Sequence, residues 1–468
     1  MKITPLCLAL AALLSTGGAQ AASDAKLLAR FEKLAAELEA VKAELKAVKA
    51  QVAAQPAPLP SASQPVAQTT AAQGGIAAPL VTSAAASPTP ALPSAETSLA
   101  TREPYSAPLS TPANPTSFFG YGEINYNRPF RNQSQTQIDV RRVVLGVSHQ
   151  ASERTRIVTE LEFEHAVTSA EDSGEAAIEQ VYVEHRLNDN IGLKGGLFLI
   201  PLGFLNLKHE PLTYYGVERN FVETAIIPST WREVGLSAFG VSDAGLRWDV
   251  GVTSGFDLNK WDRTSTEGQE SPLGAIHQEG QFARSNNMSA YAALSWRGTP
   301  GLDVGAGIFS GKASHKLKDP STANAGQYAS GARVTLWDAH ARWTPGNWDL
   351  AALYARGSIT DTSELNVQLA GGTLVPKTFF GWYTQAAYRI WEHGEYQLSP
   401  FARYEVFNTA SGFAAPAWVG ASPLQDEKVL TTGANLKVGE NVVLKADVQR
   451  FQVDRSRDRL NLGIGYQF

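Results

Sequence analysis

From Ser117 to Phe468, apolar and polar residues alternate with a period of two, run after run. In TRIVTELEFEHA, Ile157, Leu161 and Phe163 fall on one side and Glu160, Glu162 and Glu164 on the other. GLRWDVGVTS sets Leu246, Trp248, Val250 and Val252 opposite Arg247 and Asp249; FARYEVF and NVVLKADVQ repeat the pattern. A period of two belongs to β-strands, whose successive side chains point to opposite faces. Clusters of Gly, Asn, Asp, Pro and Ser separate runs of roughly 8–12 residues, and no helical period intervenes. The pattern predicts an all-β region, and strand-plus-connection units of about 20–24 residues give roughly 16 antiparallel strands.

Alternation alone leaves two architectures open. In a soluble sandwich or barrel the apolar face packs inward and charge meets water. In a transmembrane β-barrel the apolar face meets lipid and charge lines the lumen. Closure also removes the exposed strand edges that a sheet of this size would present. Trp343, Trp348, Trp382, Tyr388 and Trp391 cluster near strand ends, as interfacial aromatic girdles do. The terminal LNLGIGYQF alternates strictly to a final aromatic and resembles the C-terminal signature of bacterial outer-membrane proteins. The membrane barrel is therefore expected. Its lumen, at about 16 strands, is wide enough to hold water. By parity Glu160, Glu162, Arg247, Arg342, Arg389 and Arg403 line it.

Upstream of Ser117 the pattern changes twice. Residues 24–53 place Leu27, Phe31, Leu34, Leu38, Val41, Leu45, Val48 and Val52 at alternating spacings of four and three, a heptad seam. With Phe31 at position a, Glu37 and Glu44 fall at g and Lys42 and Lys49 at e. That pairing suits parallel chains, and Leu at a with Val at d favours a trimer. Residues 54–116 hold 12 of the 25 prolines and are dominated by Ala, Ser, Thr and Gln. Such a segment buries too little apolar surface to offset its ordering entropy, which predicts a disordered tether. The opening MKITPLCLALAALLSTGGAQAAS reads as a secretory signal peptide over residues 1–22. The expected order is signal peptide 1–22, periplasmic coiled coil 23–53, linker 54–116 and outer-membrane barrel 117–468. The apolar run PLCLALAALL falls short of the ~18 residues a membrane helix needs. Cys7 is the only cysteine and lies in the leader, so no disulfide staples the mature chain.

The block GGLFLIPLGFLNLKHEP, followed by GVERN and VETAIIPSTWREVGLSAFG, resembles the phosphate-selective porin O and P family. So do RIVTELEFEHA, PFARYEVFNT and the C-terminal strand. The resemblance implies a trimeric 16-stranded outer-membrane porin narrowed by an inward-folded loop, with basic residues selecting anions such as phosphate. Charge does not follow that last point. From Ser117 onward there are 32 basic and 38 acidic residues.

Residues 208–231, KHEPLTYYGVERNFVETAIIPSTW, break the alternation. A connection this long within a compact fold is ordinarily functional. Two readings stay open. The stretch folds into the lumen as a constriction, with Lys208, Arg219 and Arg232 facing Glu210, Glu218 and Glu223, beside His209. Alternatively, ion pairs of Arg219 with the glutamates pin the loop to the wall.

His165, His185 and His209 lie near acidic residues, but no nucleophile elbow or metal-spaced His/Asp/Glu set is visible. A catalytic role, a metal or another cofactor is not expected, and no basic-aromatic interleaving points to nucleic acid. The expected partners are the outer-membrane bilayer, two further copies of the chain, and small hydrophilic solutes or ions. An envelope tether remains the alternative function.

Overall fold

The computed structural model describes residues 115–169, 174–315 and 328–468. The signal-peptide, coiled-coil and linker expectations fall outside these residues. No helix among the described residues is long and apolar enough to cross a membrane. What they build is one sheet closed on itself.

Its strands are β1 (Thr116–Pro129), β2 (Gln137–Ser152), β3 (Thr155–Glu164), β4 (Glu175–Arg186), β5 (Ile191–Leu199) and β6 (Arg232–Val241). There follow β7 (Leu246–Thr253), β8 (Ser289–Trp296), β9 (Leu302–Lys312), β10 (Arg333–Trp343), β11 (Trp348–Ile359) and β12 (Pro376–Tyr388). The circuit ends with β13 (Trp391–His393), β14 (Tyr396–Phe413), β15 (Glu427–Val438), β16 (Val442–Phe451) and β17 (Arg459–Gln467). Each pairs antiparallel with its neighbour, and β17 returns to β1. The three residues of β13 continue β12 beyond an irregularity, both pairing with β14. The barrel therefore has sixteen staves, as the spacing predicts.

Burial decides which way the alternation faces. In β3, Glu160 and Glu162 are 4 % and 5 % exposed while Leu161 and Phe163 are 39 % and 40 % exposed. A soluble sandwich would show the reverse. The charged positions line the interior and the apolar ones form the outer surface, the polarity of a membrane barrel. Exposed Trp343, Trp348, Tyr388 and Trp391 flank the short turns at one end. Trp382 sits elsewhere: it is mid-strand, packing 5.8 Å from Tyr404. With the Trp337–Tyr354 pair at 5.3 Å it makes a second aromatic row, about 20 Å along the strands from the first.

Connections alternate between short turns at the end holding the strand termini Thr116 and Gln467, and long loops at the other. Several long loops turn inward, residues 360–375 among them through Leu365, Leu369 and Val375, and two contribute most. Residues 200–231 contribute Ile200, Leu202, Ile226, Ile227 and Trp231 to a buried cluster, and residues 254–288 contribute Phe256, Leu258, Trp261, Leu273 and Ile276. They dock on inward-facing Phe309, Leu336, Leu353 and Phe379, so one wall of the lumen is apolar. Trp231 stacks on Phe256 at 4.9 Å and meets Phe309 edge-on at 4.6 Å. The second loop was not foreseen from sequence, because its apolar residues carry no period to mark them as buried.

Candidate functional site: a loop that divides the lumen

The stretch that breaks the alternation lies between β5 and β6, with Asn206 closing its base. The Asn206 amide donates to the carbonyls of Ile200 at 2.7 Å and Trp231 at 2.9 Å, and accepts from the Trp231 N–H at 2.7 Å. From there the chain crosses to the far wall. The Val217 N–H donates to Asp447 of β16 at 2.6 Å, and Asn435 of β15 donates to the Tyr214 carbonyl at 3.1 Å. Arg403 of β14 donates to the Tyr215 carbonyl at 2.9 Å, and Phe221 N–H to Glu405 at 2.7 Å. The Tyr214 hydroxyl reaches Glu123 of β1 at 2.8 Å, while Lys445 lies 3.5 Å over its ring. Gly463 and Gly465 of the C-terminal strand make room for this approach. A Cβ at Gly465 would stand 2.3 Å from Pro211, and one at Gly463 3.0 Å from Val217.

Glu223 is the loop's internal anchor. Its carboxylate accepts the N–H groups of Phe204 and Leu205 at 2.5 and 2.7 Å, Asn220 at 2.8 Å, and the Tyr383 hydroxyl of β12 at 2.9 Å. Burial raises its pKa, a shift these donors only partly offset. Arg219 braces the loop against itself through Ser229 and the His209 carbonyl, at 2.5 and 3.1 Å. Arg219 thus braces the loop through a hydroxyl and a carbonyl, Glu223 is held by neutral donors, and Arg219 also lines open space.

That space has two parts. On the long-loop side is a cavity of about 400 Å³ lined by Arg141, Arg142, Arg219, Arg232 and Arg459 together with Glu123, Glu162, Glu164, Glu218 and Glu279. Arg142 is its central cation, 2.6 Å from Glu162, 3.2 Å from Glu164 and 3.7 Å from Glu123. Arg232 pairs with Glu279 of the second inward loop at 3.1 Å. Burial alone would raise the Glu218 carboxyl, but Arg459, Arg141 and a 2.9 Å hydrogen bond from Asn127 hold it below the usual range. On the short-turn side is a cavity of about 120 Å³ lined by Lys208, Arg247, Arg297, Arg342 and His340, against Asp249 and Asp303. The outer compartment is mixed in charge; in the inner one four Lys and Arg side chains meet two Asp, with Arg297 paired to Asp303 and Arg342 to Asp349.

The other residues singled out by sequence fall in several places. Glu160 and Glu162 face inward and are buried, as is Arg403, which reaches Glu405 at 2.6 Å. Arg247 and Arg342 line the inner compartment, Arg342 gripping Asp349 at 2.9 and 2.6 Å. Arg389 lies in the connection after β12, at the barrel rim, paired with Glu392 at 3.2 Å and Asn347 at 2.8 Å. His209 is buried and Glu210 half-buried, and neither lines either cavity. The histidines weighed for hydrolysis each have a different partner: His165 meets Asp139 at 2.9 Å, His185 Thr155 at 3.0 Å, and His209 Glu179 at 2.9 Å.

Two lumenal groups escaped the parity argument for one reason. Register shifts between Glu123 and Ile124 and between Glu160 and Leu161 make Arg141 and Glu179 the extra residues of β-bulges. A bulge inserts a residue and re-aims its neighbours. Arg141 and Arg142 both line the outer cavity although they are adjacent. No single-strand pattern shows where a bulge falls.

Known proteins resemble this chain in sequence and in fold. A family model described as phosphate-selective porin O and P matches residues 116–412. An uncharacterized protein of Aquifex aeolicus is 28 % identical over 353 residues, covering 73 % of this chain and 77 % of that protein. The Salmonella typhi OmpF complex with daunomycin superposes with a TM-score of 0.52 at 15 % identity, over 75 % of this chain and 97 % of that one. An anion-selective porin from Comamonas acidovorans gives 0.47 at 12 % identity, over 75 % and 99 %.

Proposed function

The chain belongs to the phosphate-selective porin O and P family, and from that premise we propose that it passes small hydrophilic solutes by passive diffusion, with anions favoured. As a member of that family it is an outer-membrane channel protein. The observation that carries the finer reading is the lining of the inner compartment, where Lys208, Arg247, Arg297 and Arg342 exceed by one the carboxylates Asp249, Asp303 and Asp349 beside them. A low-dielectric channel wall focuses the field of such a set and raises the local concentration of counter-ions. The mixed outer compartment, by contrast, offers both signs and gives entering ions little discrimination. Net charge over the whole barrel is negative, but cations lining a compartment outweigh distant surface charge once salt screens beyond about 8–10 Å.

Short turns face the periplasm in bacterial outer-membrane barrels, which in this reading puts the inner compartment on the periplasmic side. The heptad seam of residues 24–53 supports a homotrimer with its coiled coil in the periplasm.

Reversal potentials across a planar bilayer in a potassium chloride gradient test the proposal, repeated with phosphate and with a dicarboxylate as competitor. Anion-favouring potentials that shift toward cations in Lys208→Glu and Arg247→Glu support it. Purified protein that gives no conducting steps overturns the channel. Conducting steps with cation-favouring potentials overturn the anion reading.

A further inference from the structure

Where the loop leaves Asn206, against β3 and β4, three side chains from three segments converge. Glu160 of β3, Glu179 of the β4 bulge and His209 of the loop offer ligand atoms that all lie within 4.8 Å of one another. We infer that Glu160, Glu179 and His209 form a binding site for a divalent transition-metal ion, Zn²⁺ being the best match, which ties the base of the loop to the barrel wall.

The first support is the state of the carboxylate at the centre. Glu179 is 0 % exposed, and neither of its oxygens has a hydrogen-bond partner, although Oε1 lies 2.9 Å from His209 Nε2. The two groups form an ion pair when the imidazole carries both protons; with Nε2 deprotonated, a lone pair and a carboxylate oxygen face each other and a metal ion can take the place of the proton. A fully buried carboxylate left in this condition is costly unless a cation meets it.

The second support is the imidazole. Nδ1 of His209 lies 3.2 Å from the Asn206 carbonyl oxygen. A carbonyl only accepts, so Nδ1 carries the proton in that contact. This leaves Nε2 able to present a lone pair when the ring is neutral. An Nδ1–H held by a backbone carbonyl is the usual outer-sphere support of a metal-bound histidine. Asn206 is the same residue that clamps the loop's two ends, so the proposed ligand is positioned by the device that shapes the loop.

The third is the arrangement of Glu160. Gln180 donates to Oε2 of Glu160 at 2.5 Å, orienting the carboxylate and leaving Oε1 for the ion. One imidazole nitrogen with two carboxylates suits Zn²⁺ or a neighbouring first-row ion, whereas Ca²⁺ and Mg²⁺ prefer oxygen alone. The bulge at Glu179 has a purpose in this reading: without the extra residue, Glu179 and Gln180 could not both be turned toward Glu160.

The test uses the untagged full chain, folded in detergent, loaded with Zn²⁺ and desalted, with bound metal measured by mass spectrometry. The expected result is about one Zn²⁺ per chain, retained against excess Mg²⁺ and Ca²⁺, with affinity lowered about 100-fold or more in Glu179→Gln and His209→Ala. Variants retaining as much Zn²⁺ as the wild type overturn the site, as does a wild type that retains none. If a variant fails to fold, the wild type loaded with Co²⁺ decides. Visible bands of a nitrogen- and oxygen-ligated Co²⁺ with an anomalous peak between the three side chains support the site. A featureless spectrum, or a peak elsewhere, refutes it.

Discussion

Replacing Glu223 by alanine should release the dividing loop without unfolding the barrel. The carboxylate accepts four donors: the Phe204 and Leu205 N–H groups, the Asn220 amide and the Tyr383 hydroxyl. At about 1 kcal/mol net for each bond, the loss is about 4 kcal/mol if water reaches the freed donors. It rises to about 8 kcal/mol if they stay dry and unsatisfied. The lower figure alone shifts the docked-to-undocked ratio by roughly a thousandfold. The sixteen-stave ladder shares none of these bonds, so the barrel should keep its folded electrophoretic mobility. Single-channel recording is the assay. The variant should show larger or strongly fluctuating steps, and protease added from the long-loop side should cut within residues 200–231. Glu223→Gln retains a carbonyl oxygen for the two backbone donors and should fall between variant and wild type. Quiet steps of wild-type size from a folded, protease-resistant Glu223→Ala would refute the anchoring role.

Three further outcomes follow from the same structure. Leu236→Arg, on the outer face at 72 % exposure, should destabilise the folded barrel in bilayers by about 2–4 kcal/mol, measured by denaturant titration; a neutral effect would contradict the inverted polarity. Asn206→Ala removes three hydrogen bonds joining the loop's ends and should cost about 3 kcal/mol locally, read as faster hydrogen exchange at the Trp231 amide with barrel amides unchanged. Glu218 has a depressed pKa when folded, so its contribution is fully present above the ordinary glutamate range near pH 4.3 and is lost only as pH falls through the lower folded value. The selectivity difference between wild type and Glu218→Gln should therefore be constant from pH 7 to about pH 5 and vanish only in stronger acid. A difference that disappears above pH 5 would contradict the electrostatic attraction of Arg459 and Arg141.

Much of this protein can be read from its sequence because a membrane barrel repeats one local rule. Side chains alternate across every strand, so Leu161 and Glu162 must take opposite faces wherever the strand lies, and lipid outside with water inside assigns each face its chemistry. Strand number follows from length, and closure follows from the cost of open edges. The broken alternation at residues 208–231 likewise marks the dividing loop, since a segment without a period cannot be a stave. Tertiary structure alone decides what depends on register between distant segments. Bulges turn Arg141 and Glu179 inward, against any count made along one strand. Loop 254–288 packs beside Trp231 because the wall at Phe309 and Phe379 is apolar, a match spread over three parts of the chain. Glu223 becomes an anchor, and Glu179 a neighbour of His209, only when the loop crosses the closed lumen. Periodicity is a property of neighbours in sequence; a site inside a barrel is made by neighbours in space.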